Sequence, residues 1–265
     1  MLTPIRDHVA SALMDGTIMI SGGYTGSIGV KNKVILYDPL IETWNITSNL
    51  RDSRYKHTAS VLLNGKVLVT GGYTGTKHLD SAELYDPSTK IWSSIDTRTQ
   101  HTACLLQNGK VLVAGGSQIS TELYDPTTGQ WTTTGSMKML RQYHTMSLLA
   151  NGQVLVTGGN SSNSAELYDP ITGNWSYTNS MHYARKQHTA TVLSNGNVLV
   201  AGGYNTTSTN RVEIYDPLTG KWTTPFERMH YERYKHTASL LPNGRVLVVG
   251  GKSSNTYLNS AELYY

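Results

Sequence analysis

The sequence predicts an all-β fold assembled from six copies of one four-stranded unit, and three recurrences carry that prediction. A Gly-Gly doublet returns at Gly22-Gly23, Gly71-Gly72, Gly115-Gly116, Gly158-Gly159, Gly202-Gly203 and Gly250-Gly251, at spacings of 43 to 49 residues. Fourteen residues before each doublet stands a histidine: His8, His57, His101, His144, His188 and His236. After each doublet comes a tyrosine (Tyr37, Tyr85, Tyr124, Tyr168, Tyr215, Tyr264), followed in five copies by Asp-Pro and then by Trp44, Trp92, Trp131, Trp175 or Trp222.

The unit is clearest between Arg185 and Trp222. Two short β-type runs, HTATVL and NVLVAGG, flank Ser194-Asn195-Gly196. Asn-Gly between such runs predicts a tight hairpin with φ > 0 at both central residues. Gly202-Gly203 ends the second strand at a place where no Cβ is tolerated. A polar loop leads to the third strand, RVEIYDP, closed by a proline that cannot extend a ladder. Leu218-Thr219-Gly220 then turns the chain into a fourth strand opened by Trp222. Second strands such as KVLVTGG and QVLVTGG are nearly continuous apolar runs, as expected of a sheet covered on both faces. Four strands per unit at this period point to the blades of a β-propeller.

The glycine doublet, the Tyr-Asp-Pro and the tryptophan at these offsets resemble the kelch signature over essentially the whole of residues 1–265. The variant with HTA before the hairpin and SAELYDP after the loop is similar to the repeats of galactose-oxidase-like propellers. The expected architecture is one domain, 1–265, a six-bladed kelch-type β-propeller with four-stranded blades at about 8–47, 57–95, 101–134, 144–178, 188–224 and 236–265. The last blade stops at Ala261-Glu262-Leu263-Tyr264-Tyr265 and lacks its outer strand. That leaves an open edge: the sequence is a piece of a longer protein, or a partner strand covers it.

Composition narrows the function classes. The net charge is +4 and the isoelectric point near 9.0, yet Lys and Arg are scattered without a basic run, so no nucleic-acid partner is expected. No stretch approaches the roughly 18 apolar residues of a membrane span, so no membrane partner is expected either. Cys104 is the single cysteine and excludes an intramolecular disulfide. It sits in HTACLLQNG, where the other copies carry Ser or Thr, and reads as a small buried side chain. Four Asn-x-Ser/Thr sequons stand at Asn45, Asn160, Asn174 and Asn205, most of them expected by chance in a chain so rich in these residues.

Six histidines in equivalent places invite a metal site. In a propeller the inner strand turns a backbone edge to the channel and its side chains toward the neighbouring blades, so six such rings cannot converge on one ion. Hydrogen bonding between blades is the expected role, with no metal and no cofactor. The resemblance to galactose oxidase implies a copper-site Tyr-His pair before a hairpin, a second tyrosine at the matching place of another blade and a cysteine cross-linked to it. Tyr143-His144 matches the pair. The other residues preceding the histidines are Asp7, Lys56, Gln100, Gln187 and Lys235. Gln100 holds the family's cysteine place and Cys104 lies four residues on, so the set is incomplete and no catalytic residue is assigned.

Arginine precedes the histidine by three residues in five copies (Arg54, Arg98, Arg141, Arg185, Arg233), and glutamate precedes the tyrosine by two in five (Glu83, Glu122, Glu166, Glu213, Glu262). Blade 1 carries Ile5 and Ile35 at those two places, a joint replacement that predicts an ion pair inside each of the other blades.

The resulting expectation is a non-catalytic module that binds a protein or glycan on the loop face opposite the Asn-Gly turns. The alternative is the propeller scaffold of a larger secreted oxidase or carbohydrate-active enzyme whose catalytic residues lie outside the chain. Between doublet and strand tyrosine, blades 1, 2, 5 and 6 carry 13, 12, 11 and 12 residues, against 7 and 8 in blades 3 and 4. Tyr24, Tyr73 and Tyr204 open three of the long loops, with Lys77, His78, Asn205, Lys252 and Asn255 as polar neighbours, and Tyr143 completes the candidate ligand-binding set.

Overall fold

The computed structural model describes residues 5–26, 29–77, 79, 81–96, 101–116, 118–254 and 256–264, with the side chains of 94–96 left aside. Their strands form the blades of a six-bladed β-propeller. Five sheets have four antiparallel strands in sequential order, covering 9–46, 58–96, 101–134, 145–178 and 189–223. Among the described residues the sixth blade is three-stranded, Thr237–Leu240, Val246–Val249 and Ala261–Tyr264. Contacts group the chain into two compact units, Met1–Ser117 with Leu123–Thr132, and Gln118–Glu122 with Thr133–Tyr265. Among the described residues no helix is long and apolar enough to cross a membrane.

One hairpin expectation needs correction. Gly196 has φ +85°, but Asn195 is not in the left-handed region. The turn is closed by Gly196 N–H donating to Leu193 O (2.9 Å) and Leu193 N–H to Asn197 O (2.8 Å), while Asn195 Oδ1 accepts the Asn197 amide at 3.0 Å. This is a three-residue loop, a type I turn followed by a left-handed glycine, which also suits the strand twist. Asparagine earns its place here through its side-chain acceptor.

In each unit the apolar faces of adjacent blades pack together. Leu149, Leu155, Ala165 and Met181 of blade 4 meet Val198, Val200, Tyr215 and Trp222 of blade 5. In the other unit, blades 2 and 3 join through Leu62, Leu68 and Ala82 against Val111, Val113 and Tyr124. In the five four-stranded blades the third-strand tyrosine faces a fourth-strand tryptophan, with ring centroids 5.0 Å apart in Tyr215–Trp222, which stand directly opposite each other. Such a tilted pair adds about 0.5–1.5 kcal/mol beyond area burial.

The doublets lock one blade to the next. Gly203 N–H donates to Arg233 O at 2.8 Å, and Gly159 N–H to Arg185 O at 2.9 Å. At Gly202 φ is +63°, and an added Cβ would run into Arg233 O and stand 2.7 Å from His236 Cε1. Gly202→Ala is therefore expected to cost about 3 kcal/mol or more in chemical denaturation, from strain and steric overlap together. Gly196→Ala, with open space around it, should cost only about 1–2 kcal/mol for its left-handed φ. Equal losses would show that the doublet's close approach contributes nothing.

Candidate functional site

The buried charges divide cleanly from the exposed ones. Arg54, Arg141, Arg185 and Arg233 are each at most 1% exposed. Arg54 Nη2 donates to Glu83 at 2.7 Å, Arg141 Nη2 to Glu166 at 2.9 Å, Arg185 Nη2 to Glu213 at 2.7 Å and Arg233 Nη2 to Glu262 at 2.5 Å. Burial pushes the Arg185 guanidinium below its ordinary value, and the Glu213 carboxylate opposes that shift. The expected intrablade pairs are thus present in these four blades; Arg98 lies outside the described residues. Each of these glutamates also holds the segment leading into its blade. Lys138 N–H donates to Glu166 Oε2 and His182 N–H to Glu213 Oε2, both at 2.6 Å. Sequence reasoning missed this second role, because a backbone donor leaves no residue signature.

The histidines bridge blades. His57 Nε2 lies 2.9 Å from Ser21 Oγ, His101 Nε2 2.6 Å from Thr70 Oγ1, His188 Nε2 3.1 Å from Thr157 Oγ1, and His236 Nε2 2.9 Å from Thr189 Oγ1. Burial lowers the His57 pKa to about 3 and that of His236 to about 4, and carries His188 well below its usual range. Neutral imidazole is the form this packing requires. Among the described residues no group of three His, Cys, Asp or Glu side chains could hold a metal ion. Cys104 is half-buried rather than fully enclosed, and burial raises its thiol to about 11, far from a reactive thiolate.

Before five of the repeat histidines the preceding residue takes a left-handed conformation, with φ +55° at Asp7, +56° at Lys56, +60° at Tyr143, +57° at Gln187 and +55° at Lys235; Gln100 lies outside the described residues. Backbone bonds between blades hold it: Lys56 N–H donates to Asp7 O, and Gln187 N–H to Tyr143 O, each at 2.9 Å. The Tyr143 conformation therefore belongs to the repeat. Tyr143 is 39% exposed, while His144 beside it is 4% exposed.

At the doublet end of each unit the chain builds a tyrosine rim. The residue after the doublet pairs through its backbone with the residue two before the histidine: Tyr24 with Arg6, Tyr73 with Tyr55, Tyr204 with Lys186, and Lys252 with Tyr234. In the first unit Tyr55 sits between Tyr24 and Tyr73, with centroid distances of 5.5 and 5.6 Å. Arg6 lies 4.8 Å over the Tyr24 ring and Lys56 5.3 Å over that of Tyr55. In the second unit Tyr204 and Tyr234 are 5.1 Å apart, and Lys186 and Lys235 each lie 5.8 Å over one of them. Burial, then the neighbouring Tyr73, raises the Tyr55 pKa, so this phenol stays neutral.

Of the predicted set, the structure gathers Tyr24 and Tyr73 around Tyr55, and Tyr204 and Lys252 around Tyr234. The rim tyrosines are half-buried, whereas Lys77 and Asn205 are exposed in the turns beyond them. His78 and Asn255 lie outside the described residues. Tyr55, Tyr234, Arg6, Lys56, Lys186 and Lys235 were missed. The repeat spacing does carry the signal for them, since all stand one or two places before a histidine, but only the cross-strand pairing puts those places beside the doublet loops.

The fold and this rim define a repeat protein of the propeller class. Family models described as Kelch motif match residues 54–97 and 185–224, and a second of the same description matches 97–138. The chain carries kelch motifs at these residues on a β-propeller fold. A similar solved structure is described as a novel fungal alcohol oxidase with catalytic diversity among the AA5 family, in complex with copper. It superposes with a TM-score of 0.79 at 22% identity, over 94% of this chain and 59% of that one. No curated protein matches.

Proposed function

We propose that the chain is a non-catalytic binding module that recognises a protein or glycan on its doublet-loop face. The observation that carries this reading is the tyrosine rim, with Arg6 and Lys56 over two rings of one unit and Lys186 and Lys235 over two rings of the other. Tyrosine supplies a large, stiff contact area at low entropic cost, and the cations lend it polarity and positive charge. The buried arginines, glutamates and histidines are occupied in holding blades together, which leaves the rim as the chemically rich surface. Lys77, Asn205, Lys252 and Tyr143 extend it, and the proposal includes His78 and Asn255 by their place in the sequence.

The test is a peptide and glycan array probed with the wild-type chain and with a Tyr24→Ala, Tyr73→Ala, Tyr204→Ala variant. The expected result is a ligand bound by the wild type and lost by at least about tenfold in the variant, at unchanged melting temperature. Retention in the variant would remove the rim from recognition.

A scaffold role within a larger oxidase is the second reading. It is favoured by the fold shared with the copper-bound alcohol oxidase and by the Tyr143-His144 pair. One tightly held copper per chain in purified protein would support it over a binding module.

A further inference from the structure

Blade 1 keeps the seat of an arginine but has no arginine. In blades 2, 4 and 5 the guanidinium fills the space beneath the doublet and donates to two carbonyls. Arg54 Nη1 reaches Gly71 O at 2.8 Å and Ser81 O at 3.0 Å, and Arg141 Nη1 reaches Gly158 O at 2.7 Å and Ser164 O at 2.9 Å. Arg185 does the same to Gly202 O and Arg211 O, at 2.7 and 3.0 Å. The corresponding carbonyls of blade 1 are those of Gly22 and Lys33, identified by the Gly22 N–H···Lys33 O bond that matches Gly71 N–H···Ser81 O. Ile5 stands where the arginine would be and brings no donor. Ile35 replaces the glutamate, in register with Ile20 on one side and Ile46 on the other.

A cleft of about 450 Å³ opens at this place, walled by Ile5, Ile20, Ile35, Ile46 and Trp44, with Gly22 and Lys33 in its lining. Trp44 is 43% exposed and Ile46 74%, whereas Trp175 in blade 4 is 4% exposed. That volume is in the range of small-molecule sites, which combine an apolar wall with a few fixed polar groups. We propose that the blade 1 cleft binds a small neutral molecule with an apolar body and one N–H donor, the donor bonding to the carbonyls of Gly22 and Lys33. A cationic donor is disfavoured: the glutamate that neutralises the arginine elsewhere is absent, and Lys31 and Lys33 both line the cleft.

Isothermal titration of the whole chain with three close isosteres and indole tests this. Benzamide offers a neutral N–H, benzamidinium a charged one and methyl benzoate none. Benzamide and indole should bind saturably, with methyl benzoate weaker by at least about tenfold because it leaves the acceptors unpaired, and benzamidinium weaker by as much because its charge has no counter-ion. An Ile5→Arg, Ile35→Glu variant refills the seat as in the other blades and should lower benzamide and indole affinity by at least about tenfold. Ile35→Phe, which fills the cleft without charge, should do likewise and covers the case in which the double variant does not fold. No saturable binding to the wild type, undiminished binding in the filled variants, or preference for benzamidinium or methyl benzoate would overturn the proposal.

Discussion

Glu166→Ala is expected to destabilise the chain by about 3–5 kcal/mol, the range for removing one partner of a buried ion pair. Glu166 is fully buried and accepts from Arg141 Nε and Nη2 and from the Lys138 amide. Truncation leaves a guanidinium that is 1% exposed without its counter-charge, and frees the segment entering blade 4. Arg141→Ile with Glu166→Ile, the combination blade 1 carries at Ile5 and Ile35, should cost far less, because no unpaired charge stays behind. A double-mutant cycle by urea denaturation checks this. Additive losses would mean that the two side chains do not act as a pair.

The second large effect is acid lability. The folded chain holds His57 at about 3, His236 at about 4 and His188 well below its usual value, against about 6.5 in the unfolded chain. A folded pKa below the unfolded one means that the unfolded state binds more protons as the pH falls. Stability is thus fully present above about pH 6.5 and is lost progressively toward pH 4. Each such histidine withdraws about 1.4 kcal/mol per pH unit, so His57 and His236 together withdraw about 4 kcal/mol by pH 5, a large part of the net stability of a domain, and His188 acts in the same direction. Thermal melts at pH 7, 6 and 5 should show a steep fall, and His188→Gln should flatten the slope by about one proton whatever it does to stability at pH 7. A melting temperature flat from pH 7 to 5 would contradict neutral, buried imidazoles.

The sequence disclosed what the repeat enforces. At Gly22, Gly158 and Gly202 a Cβ would meet the next blade's arginine carbonyl and histidine ring, and at Gly159 and Gly203 it would meet the blade's own histidine, so the doublet marks the second strand's end in letters alone. The charged pairs were legible for a different reason: blade 1 loses Arg and Glu together, and joint loss implies contact. Pairings outside that logic stayed hidden. Glu166 also binds the Lys138 amide, which any residue could supply. Asn195 looked like a left-handed turn residue but acts through its side-chain acceptor. The candidate rim was half legible: Tyr24, Tyr73 and Tyr204 follow the doublets, while Tyr55 and Tyr234 lie in the connections before the histidines and meet the doublet loops only through isolated backbone bridges. The blade 1 cleft was invisible, because its polar groups are backbone carbonyls.

The central claim is that recognition takes place on the tyrosine rim at the doublet end of the blades. Hydrogen–deuterium exchange of the chain, with and without the strongest ligand from the peptide and glycan array, tests it most directly. Binding there should slow exchange around Tyr24, Tyr55 and Tyr73 of one unit or around Tyr204 and Tyr234 of the other, and leave the turns at Asn64-Gly65, Asn151-Gly152 and Asn195-Gly196 unchanged. Protection confined to those turns would place the ligand at the other end of the blades and contradict the claim.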